Sequence, residues 1–172
     1  MEVIRPEDII EKLNLIPLEN EGGFFKQTWA SDLTYIRSGA FISSSERNPL
    51  GTAIYFLLVN SPEGFSALHT LPYPEIYHFY LGDSIKLSLF HKNGEVEQII
   101  MGQDVLNGEH LQFTVPGGVI QGSRIVGGGK FALIGTTMTP GFIFDDLKTK
   151  SQEEMIIMYP EHKKLIMSLT RR

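Results

Sequence analysis

The stretch HTLPYPEIYHFYLG at residues 69–82 holds the most unusual polar groups of the chain, next to a pattern typical of a β-strand. Side chains alternate faces along a strand, so Glu75, Tyr77 and Phe79 are predicted to share one face. A carboxylate among aromatic rings is costly to bury unless it has a partner. His69, which precedes Glu75 across a turn with two prolines, is positioned to be that partner.

A buried histidine–glutamate pair has three interpretations on spacing alone. Each group tunes the pKa of the other, which is how a proton shuttle is built near neutral pH. The same pair can hold a divalent metal. It can also be a satisfied polar pair that only fixes the turn, because structural networks perturb pKa values too. His78 falls on the opposite face of the strand, where we expect it to pack against the C-terminal helix or a partner subunit.

The sequence around this stretch predicts many short strands separated by turns, which is typical of an all-β sandwich or barrel. A short helix is predicted at residues 5–15, with Pro6 in its first turn. A helical segment is predicted at about 151–170, where Ser151 and Glu154 form a capping box and Pro160 opens a second helix. The predicted strands are 23–30, 34–42, 52–59, 65–70, 75–81, 84–91, 95–101, 111–115, 119–125, 130–137 and 141–145.

Length and composition predict one globular domain, residues 1–172, with a barrel core at about 22–146. Fifteen basic against twenty acidic residues give a net charge of −5, which argues against a nucleic-acid partner. The chain has no cysteine, which excludes disulfides and thiolate metal sites. No signal peptide or membrane span is recognisable, so we expect a cytoplasmic protein with no membrane partner.

Two short motifs give the chain a resemblance to the cupin superfamily. His69, Leu71 and Glu75 fall on the pattern H-x-H-x3-E, with leucine at the second histidine, and Gly82 follows at the expected distance. A second motif, P-x-G-x2-H, is matched by residues 116–121, with Gln121 in place of the histidine.

The chain more narrowly resembles the cupin-five branch, a domain-of-unknown-function family. The resemblance spans nearly the whole chain, and the motifs occur in the same order. They are EGGFF at 21–25 with Thr28, TAIYFLL at 52–58, Ser66 with His69, EIYHFY at 75–80, GD at 82–83, VPGG at 115–118 and PGFIFDD at 140–146.

The resemblance implies a double-stranded β-helix, or jelly-roll barrel, usually assembled as a homodimer, with a small-molecule ligand inside the barrel. It also implies similarity in shape to the dTDP-sugar 3,5-epimerases, which need no metal. A metal-binding cupin offers three histidines and a glutamate, whereas this chain offers His69, Glu75 and Gln121. Glutamine is a poor ligand for transition metals. We therefore expect no cofactor, and at most a weak divalent metal on those three residues.

Two functions remain open. The first is an epimerase- or isomerase-like enzyme acting on a sugar or nucleotide-sugar, with His69 as general base and Glu75 tuning it. The second is a non-catalytic barrel that holds a small ligand, as a sensor or storage module does. A metal-dependent enzyme has the least support, because its ligand set is incomplete.

The enzyme hypothesis also assigns residues to the substrate. Tyr77 and Gln121 are expected to line the pocket. Lys26 or Arg124 is expected to meet an anionic group of the ligand, such as the phosphate of a nucleotide-sugar.

Overall fold

The computed structural model describes residues 4–36, 47–62 and 64–171. Short helices lie near both ends of the chain: α1 (Pro6–Leu13), α2 (Gln152–Met158) and α3 (Lys163–Met167). The strands between them are β1 (Ile16–Pro17), β2 (Phe24–Ala30), β3 (Thr34–Ile36), β4 (Arg47–Pro49), β5 (Thr52–Val59), β6 (Phe65–Thr70), β7 (Glu75–Gly82), β8 (Ile85–Phe90), β9 (Val96–Met101), β10 (Gln112–Val115), β11 (Ile120–Ile125), β12 (Phe131–Met138) and β13 (Lys148–Thr149).

Two antiparallel sheets form the body of the molecule. The first has six strands in the order β1-β2-β5-β12-β7-β10, and the second has five in the order β13-β6-β11-β8-β9. Strands β3 and β4 form a separate ribbon. The all-β jelly-roll class predicted from the sequence is confirmed. Among the described residues, no helix is long and apolar enough to cross a bilayer.

The main hydrophobic core lies between the inner faces of the two sheets. Strand β8 alternates as expected, with Ile85, Leu87 and Leu89 buried in this core. From the six-stranded sheet, Phe56, Phe79 and Ile134 meet them. Burying each side chain of this kind contributes about 1.5–3 kcal/mol relative to leaving it exposed. The core therefore supplies much of the driving force that closes the two sheets.

The helices cover the outer faces of the sheets. Helix α1 packs Ile9 on Leu57 and Leu133 of the six-stranded sheet. Helices α2 and α3 pack on the five-stranded sheet, where they bury Met155 and Ile166.

The helix predictions hold with small changes. Helix α1 lies within the predicted range and contains Pro6 in its first turn. Ser151 caps α2 as predicted, because its Oγ accepts a hydrogen bond from the Glu154 amide. The carboxylate of Glu154 instead accepts from Lys150 Nζ at 3.0 Å, so the capping box is only half formed. Pro160 opens a 3₁₀ turn that precedes α3.

Two predicted strands need correction. The strand expected at 34–42 begins as predicted, with β3 at Thr34–Ile36. Residues 37–42 lie outside the described part of the chain. The strand expected at 141–145 is wrong: Phe144–Asp146 form a 3₁₀ turn. Phe142 N donates to Thr52 Oγ1 at 2.9 Å and Gly141 N to Pro49 O at 3.0 Å. These bonds fold the segment over the end of β5 rather than along a sheet edge.

Two turns cross between the sheets side by side and fix the end of the barrel. Residues 71–74 lead from β6 to β7, and residues 116–119 lead from β10 to β11. Gly118 N donates to Leu71 O at 2.7 Å. Gly117 lies so close that a Cβ added to it would collide with the backbone of Pro72 and Tyr73. The absence of a side chain at Gly117 therefore lets the two crossings pack together.

We expect Gly117→Ala to lower the unfolding free energy by about 1–3 kcal/mol, because the added methyl group must push apart two backbone segments. Gly127→Ala is the matched control, since a Cβ there would meet no atom within 4 Å. Urea unfolding of both variants measures the effect. Equal stability of the two variants would contradict the packing described for the crossings.

Candidate binding pocket and its buried carboxyl

The inner face of the six-stranded sheet continues past the core into a pocket. Antiparallel register places Glu75 beside Met138, and Tyr77 beside Thr136. On the other side of β12, Thr136 neighbours Ile54. The predicted alternation along β7 is confirmed: Glu75, Tyr77 and Phe79 are buried, whereas the residues between them are less so.

The cavity inside the pocket is about 50 Å³. This space holds a few water molecules or one small group of a ligand, so a larger ligand would extend into the open mouth. Its walls are mostly apolar and aromatic, and two of its side chains are carboxylates. The lining residues are Leu18, Glu21, Phe25, Gln27, Thr52, Ile54, Phe56, Leu71, Glu75, Tyr77, Thr136, Met138, Phe142 and Phe144.

Glu75 is joined to the opposite sheet by a buried hydrogen bond. Gln121 Nε2, on β11, donates to Glu75 Oε2 at 2.6 Å. Gln121 is 1% exposed and Glu75 is 7% exposed. Gln121 therefore lies behind Glu75 and orients it, whereas Glu75 itself reaches the pocket.

A β-bulge in β6 brings two polar residues to the inner face of the five-stranded sheet. His69 pairs with Gln121, and Ser66, three residues earlier, pairs with Ser123 across the register shift. Without the bulge, residues three apart would point to opposite faces. His69, Ser66, Gln121 and Ser123 therefore line one side of the barrel interior.

His69 is fully enclosed at 1% exposure. Its Nδ1 lies 2.7 Å from the carbonyl oxygen of Ala67. A carbonyl oxygen only accepts, so Nδ1 is the donor and carries a proton. No hydrogen bond or ion pair among the described residues joins His69 directly to Glu75. Gln121 occupies the position of direct partner that the sequence had suggested for the histidine.

The protein environment raises the pKa of the Glu75 carboxyl above the 4.5 of a free glutamate. Burial is the largest cause, because a carboxylate loses its hydration there. The neighbouring His69 opposes the rise, and the negative charge of Glu21 adds to it. Hydrogen bonding from Thr136 and Gln121 lowers it in part. The result is an acid that keeps its proton to a higher pH than an exposed glutamate.

The pKa of Tyr77 is raised well above that of a free tyrosine, first by burial and then by the charges of Glu75 and Glu21. Its hydroxyl therefore remains protonated throughout the physiological pH range. That hydroxyl is hydrogen-bonded to the Glu75 carboxyl, which adds to the rise in its pKa.

Glu21 is a pocket residue that was not assigned to the site from the sequence. It lines the pocket and accepts a hydrogen bond from Ser66 Oγ at 2.7 Å. Its backbone carbonyl accepts from Ala67 N at 2.7 Å. Gly22 and Gly23 follow with φ of 105° and 70°, values that glycine adopts without strain. In the sequence, the match of EGGFF and Ser66 to the cupin-five motifs was the feature that could have pointed to Glu21 as a site residue.

The two cations predicted to meet an anionic ligand do not line this pocket. Lys26 is exposed on β2, between Phe25 and Gln27, which do line it, so strand alternation carries Lys26 to the outer face. Arg124 lies over the Phe65 ring, 5.9 Å from its centroid, and donates to Ser168 O. It therefore lies on the outer face of the five-stranded sheet, beside the C-terminal helical segment.

His78 lies on the outer face of the six-stranded sheet, as expected. Of the two contacts predicted for it, the one with the C-terminal helix is wrong, and the one with a partner subunit stays a prediction. That helix packs on the other sheet. The ring of His78 instead contacts Thr137 Oγ1 and Gln112 Nε2, each at 3.1 Å.

The inward polar groups do not fit a metal-ligand set. Among the described residues, no group of three or more His, Asp or Glu side chains converges as metal ligands would. Gln121 turns its amide N–H towards Glu75, and an N–H group cannot ligate a metal. Leu71 occupies the place of the second histidine in the cupin motif. We therefore derive no chemical step through a metal.

Residues 7–150 match the family model described as the cupin superfamily family DUF985. The chain belongs to this family. An uncharacterized protein of Saccharomyces cerevisiae is 32% identical over 135 residues, which is 73% of this chain and 66% of that protein. This cupin therefore spans about two thirds of the length of that curated relative.

Solved structures show the same architecture. A protein from Shewanella oneidensis is 34% identical, with a TM-score of 0.84 over 98% of this cupin and 99% of that chain. A hypothetical protein from Leishmania major is 28% identical, with a TM-score of 0.85 over 98% and 100%. A variant of Bacillus subtilis oxalate decarboxylase is 14% identical, with a TM-score of 0.51 over 91% of this cupin and 38% of that chain, a likeness of fold alone.

We expect Glu75→Gln to stabilise the protein at neutral pH. Because the folded-state pKa is raised, wild type loses stability as the pH rises above 4.5, where the unfolded carboxyl ionises freely. The loss is complete once the pH exceeds the folded-state pKa. The neutral amide avoids it, so the variant gains about 1.4 kcal/mol for each pH unit by which the pKa is raised.

Urea unfolding between about pH 4 and pH 8 measures this difference. The unfolding free energies of wild type and Glu75→Gln, plotted against pH, should converge at the acid end and separate towards neutral pH. Glu161→Gln, on the exposed C-terminal segment, is the control and should follow wild type throughout. A Glu75→Gln variant that is less stable than wild type at neutral pH would show that the ionised carboxylate is favoured in the folded state.

Proposed function

We propose that this cupin is an enzyme of the epimerase or isomerase kind, in which Glu75 moves a proton to and from a small molecule held in the barrel. The observation that carries the proposal is a buried carboxyl, with a raised pKa, that lines a mostly apolar pocket. Groups of this kind are concentrated at functional sites, since catalysis needs an acid or base that exchanges protons near neutral pH.

The residues around Glu75 suit such a reaction on a carbonyl compound. The ionised Glu75 takes a proton from the carbon next to the carbonyl group, and the electron pair of the broken C–H bond moves onto the carbonyl oxygen. Tyr77, whose hydroxyl stays protonated, donates a hydrogen bond to that oxygen. Return of the proton from Glu75 regenerates the original molecule, whereas delivery of a proton from solvent water to the opposite face of the carbon gives its epimer, and Glu75 then releases its own proton to solvent.

Gln121 and His69 act behind the reacting group. Gln121 fixes the orientation of the Glu75 carboxyl through the 2.6 Å hydrogen bond. His69 lies close enough to oppose the rise in the Glu75 pKa. This reverses the roles expected from the sequence, where His69 was the base and Glu75 tuned it.

The described pocket suits a compound without phosphate better than a nucleotide-sugar. No lysine or arginine lines it among the described residues, and its two carboxylates oppose an anionic group. We therefore place free sugars and similar carbonyl compounds ahead of nucleotide-sugars. The homodimer expected from the resemblance remains a proposal, which light scattering on the purified protein tests.

We propose that this chemistry needs no metal. Elemental analysis of the purified protein should find less than about one tenth of an equivalent of any transition metal, given the poor donor set. One equivalent of zinc, iron or manganese that is retained after dialysis, and that is lost in His69→Ala, would contradict the proposal.

Proton transfer is tested by ¹H NMR in deuterated water with a panel of free aldoses and ketoses. We expect the hydrogen next to the carbonyl group to be replaced by deuterium for at least one sugar. Glu75→Gln should slow that exchange by about 100-fold or more, the usual contribution of a general base. Lys26→Ala, which changes an exposed residue outside the pocket, should match wild type.

The same panel of sugars distinguishes the enzyme from the non-catalytic binding module. Sugars that raise the melting temperature without any deuterium exchange would indicate the non-catalytic binding module. Exchange that survives in Glu75→Gln would show that another group moves the proton.

A further inference from the structure

We infer that the pocket selects a small organic cation: a ligand carrying a protonated amine or a quaternary ammonium group next to its reacting part. The inference rests on the proposed function only for the location of the site, because it concerns what binds there rather than whether the ligand is turned over.

The first support is the placement of two carboxylates in the pocket wall, with His69 outside that wall as a neighbouring group whose charge acts on Glu75. Glu21, from the turn before β2, and Glu75, from β7, both line the pocket. They are close enough for the charge of Glu21 to act on Glu75. The described lining residues include no lysine, arginine or histidine. A positive ligand would relieve the repulsion between the two carboxylates, whereas an anion would increase it.

The second support is the aromatic part of the pocket wall. Phe25, Phe142 and Phe144 line the pocket together with Phe56 and Tyr77. The Phe25 and Phe144 rings meet edge to face with centroids 6.3 Å apart, and Phe142 and Phe144 with centroids 5.2 Å apart. Ring faces attract cations, by about 0.5–2 kcal/mol each as the site becomes drier. Aromatic rings combined with carboxylates are the usual surroundings of a bound ammonium group.

The test compares choline with neohexanol, a neutral molecule of nearly the same shape in which carbon replaces the ammonium nitrogen. Binding is measured by thermal shift and by ¹H NMR line broadening, with inorganic phosphate as the anionic probe. We expect choline to bind about tenfold or more tightly than neohexanol, and phosphate not to bind. The preference should weaken at high salt, as expected for a partly exposed charge.

Two variants locate the effect. Glu21→Gln should weaken choline binding by about fivefold or more and leave neohexanol unchanged, since it removes a charge and keeps the shape. Glu19→Gln is the matched control on the same turn, exposed and outside the pocket, and should behave as wild type. Phe25→Leu should also weaken choline selectively, which keeps the test decisive if Glu21→Gln folds poorly.

The outcomes separate this inference from the proposed function. Equal affinity for choline and neohexanol, or stabilisation by phosphate, overturns the cation preference even if sugars exchange deuterium. Selective choline binding that depends on Glu21 supports the cation preference even if no compound is turned over, and in that case only the proposed catalysis fails.

Discussion

The hydrogen bond from Gln121 to Glu75 joins the two sheets of the barrel at the end where the core stops. The first residue belongs to the five-stranded sheet and the second to the six-stranded sheet, and both are almost completely enclosed. The two sheet-crossing turns meet beside it, with Gly117 packed on Pro72. This bond therefore fixes where a carboxyl lies, and the other polar groups are arranged around that position.

Burial of Glu75 lowers the stability of the fold and also suits the carboxyl to proton transfer. A carboxyl at this depth destabilises the fold when it ionises, which a protein retained only for its stability would avoid. The same burial raises its pKa towards the range where an acid and its base are both available. Glu21 and His69 change that balance through their charges, and Thr136 and Gln121 through their hydrogen bonds. The site is thus an acid held between two sheets and open to a pocket on one side.

Strand periodicity was enough to predict the fold class and the buried face of β7. Periodicity was not enough to locate the residues that contact Glu75. The bulge in β6 sets Ser66 and His69 on one face, which a strict alternation of two residues cannot show. Lys26 was misplaced because Phe24 and Phe25 are both apolar, so the pattern does not say which side of β2 faces inward. The strand expected at 141–145 failed because its amides bond to Pro49 and Thr52.

The pocket-facing carboxyl of Glu75 keeps its proton to a higher pH than an ordinary glutamate. Carbon-detected NMR titration of the glutamate carboxyl groups, with Glu75 assigned by comparison with Glu75→Gln, measures this directly. We predict a midpoint for Glu75 clearly above 4.5, and a lower midpoint for Glu75 in Glu21→Gln. A Glu75 midpoint at or below 4.5 would contradict it.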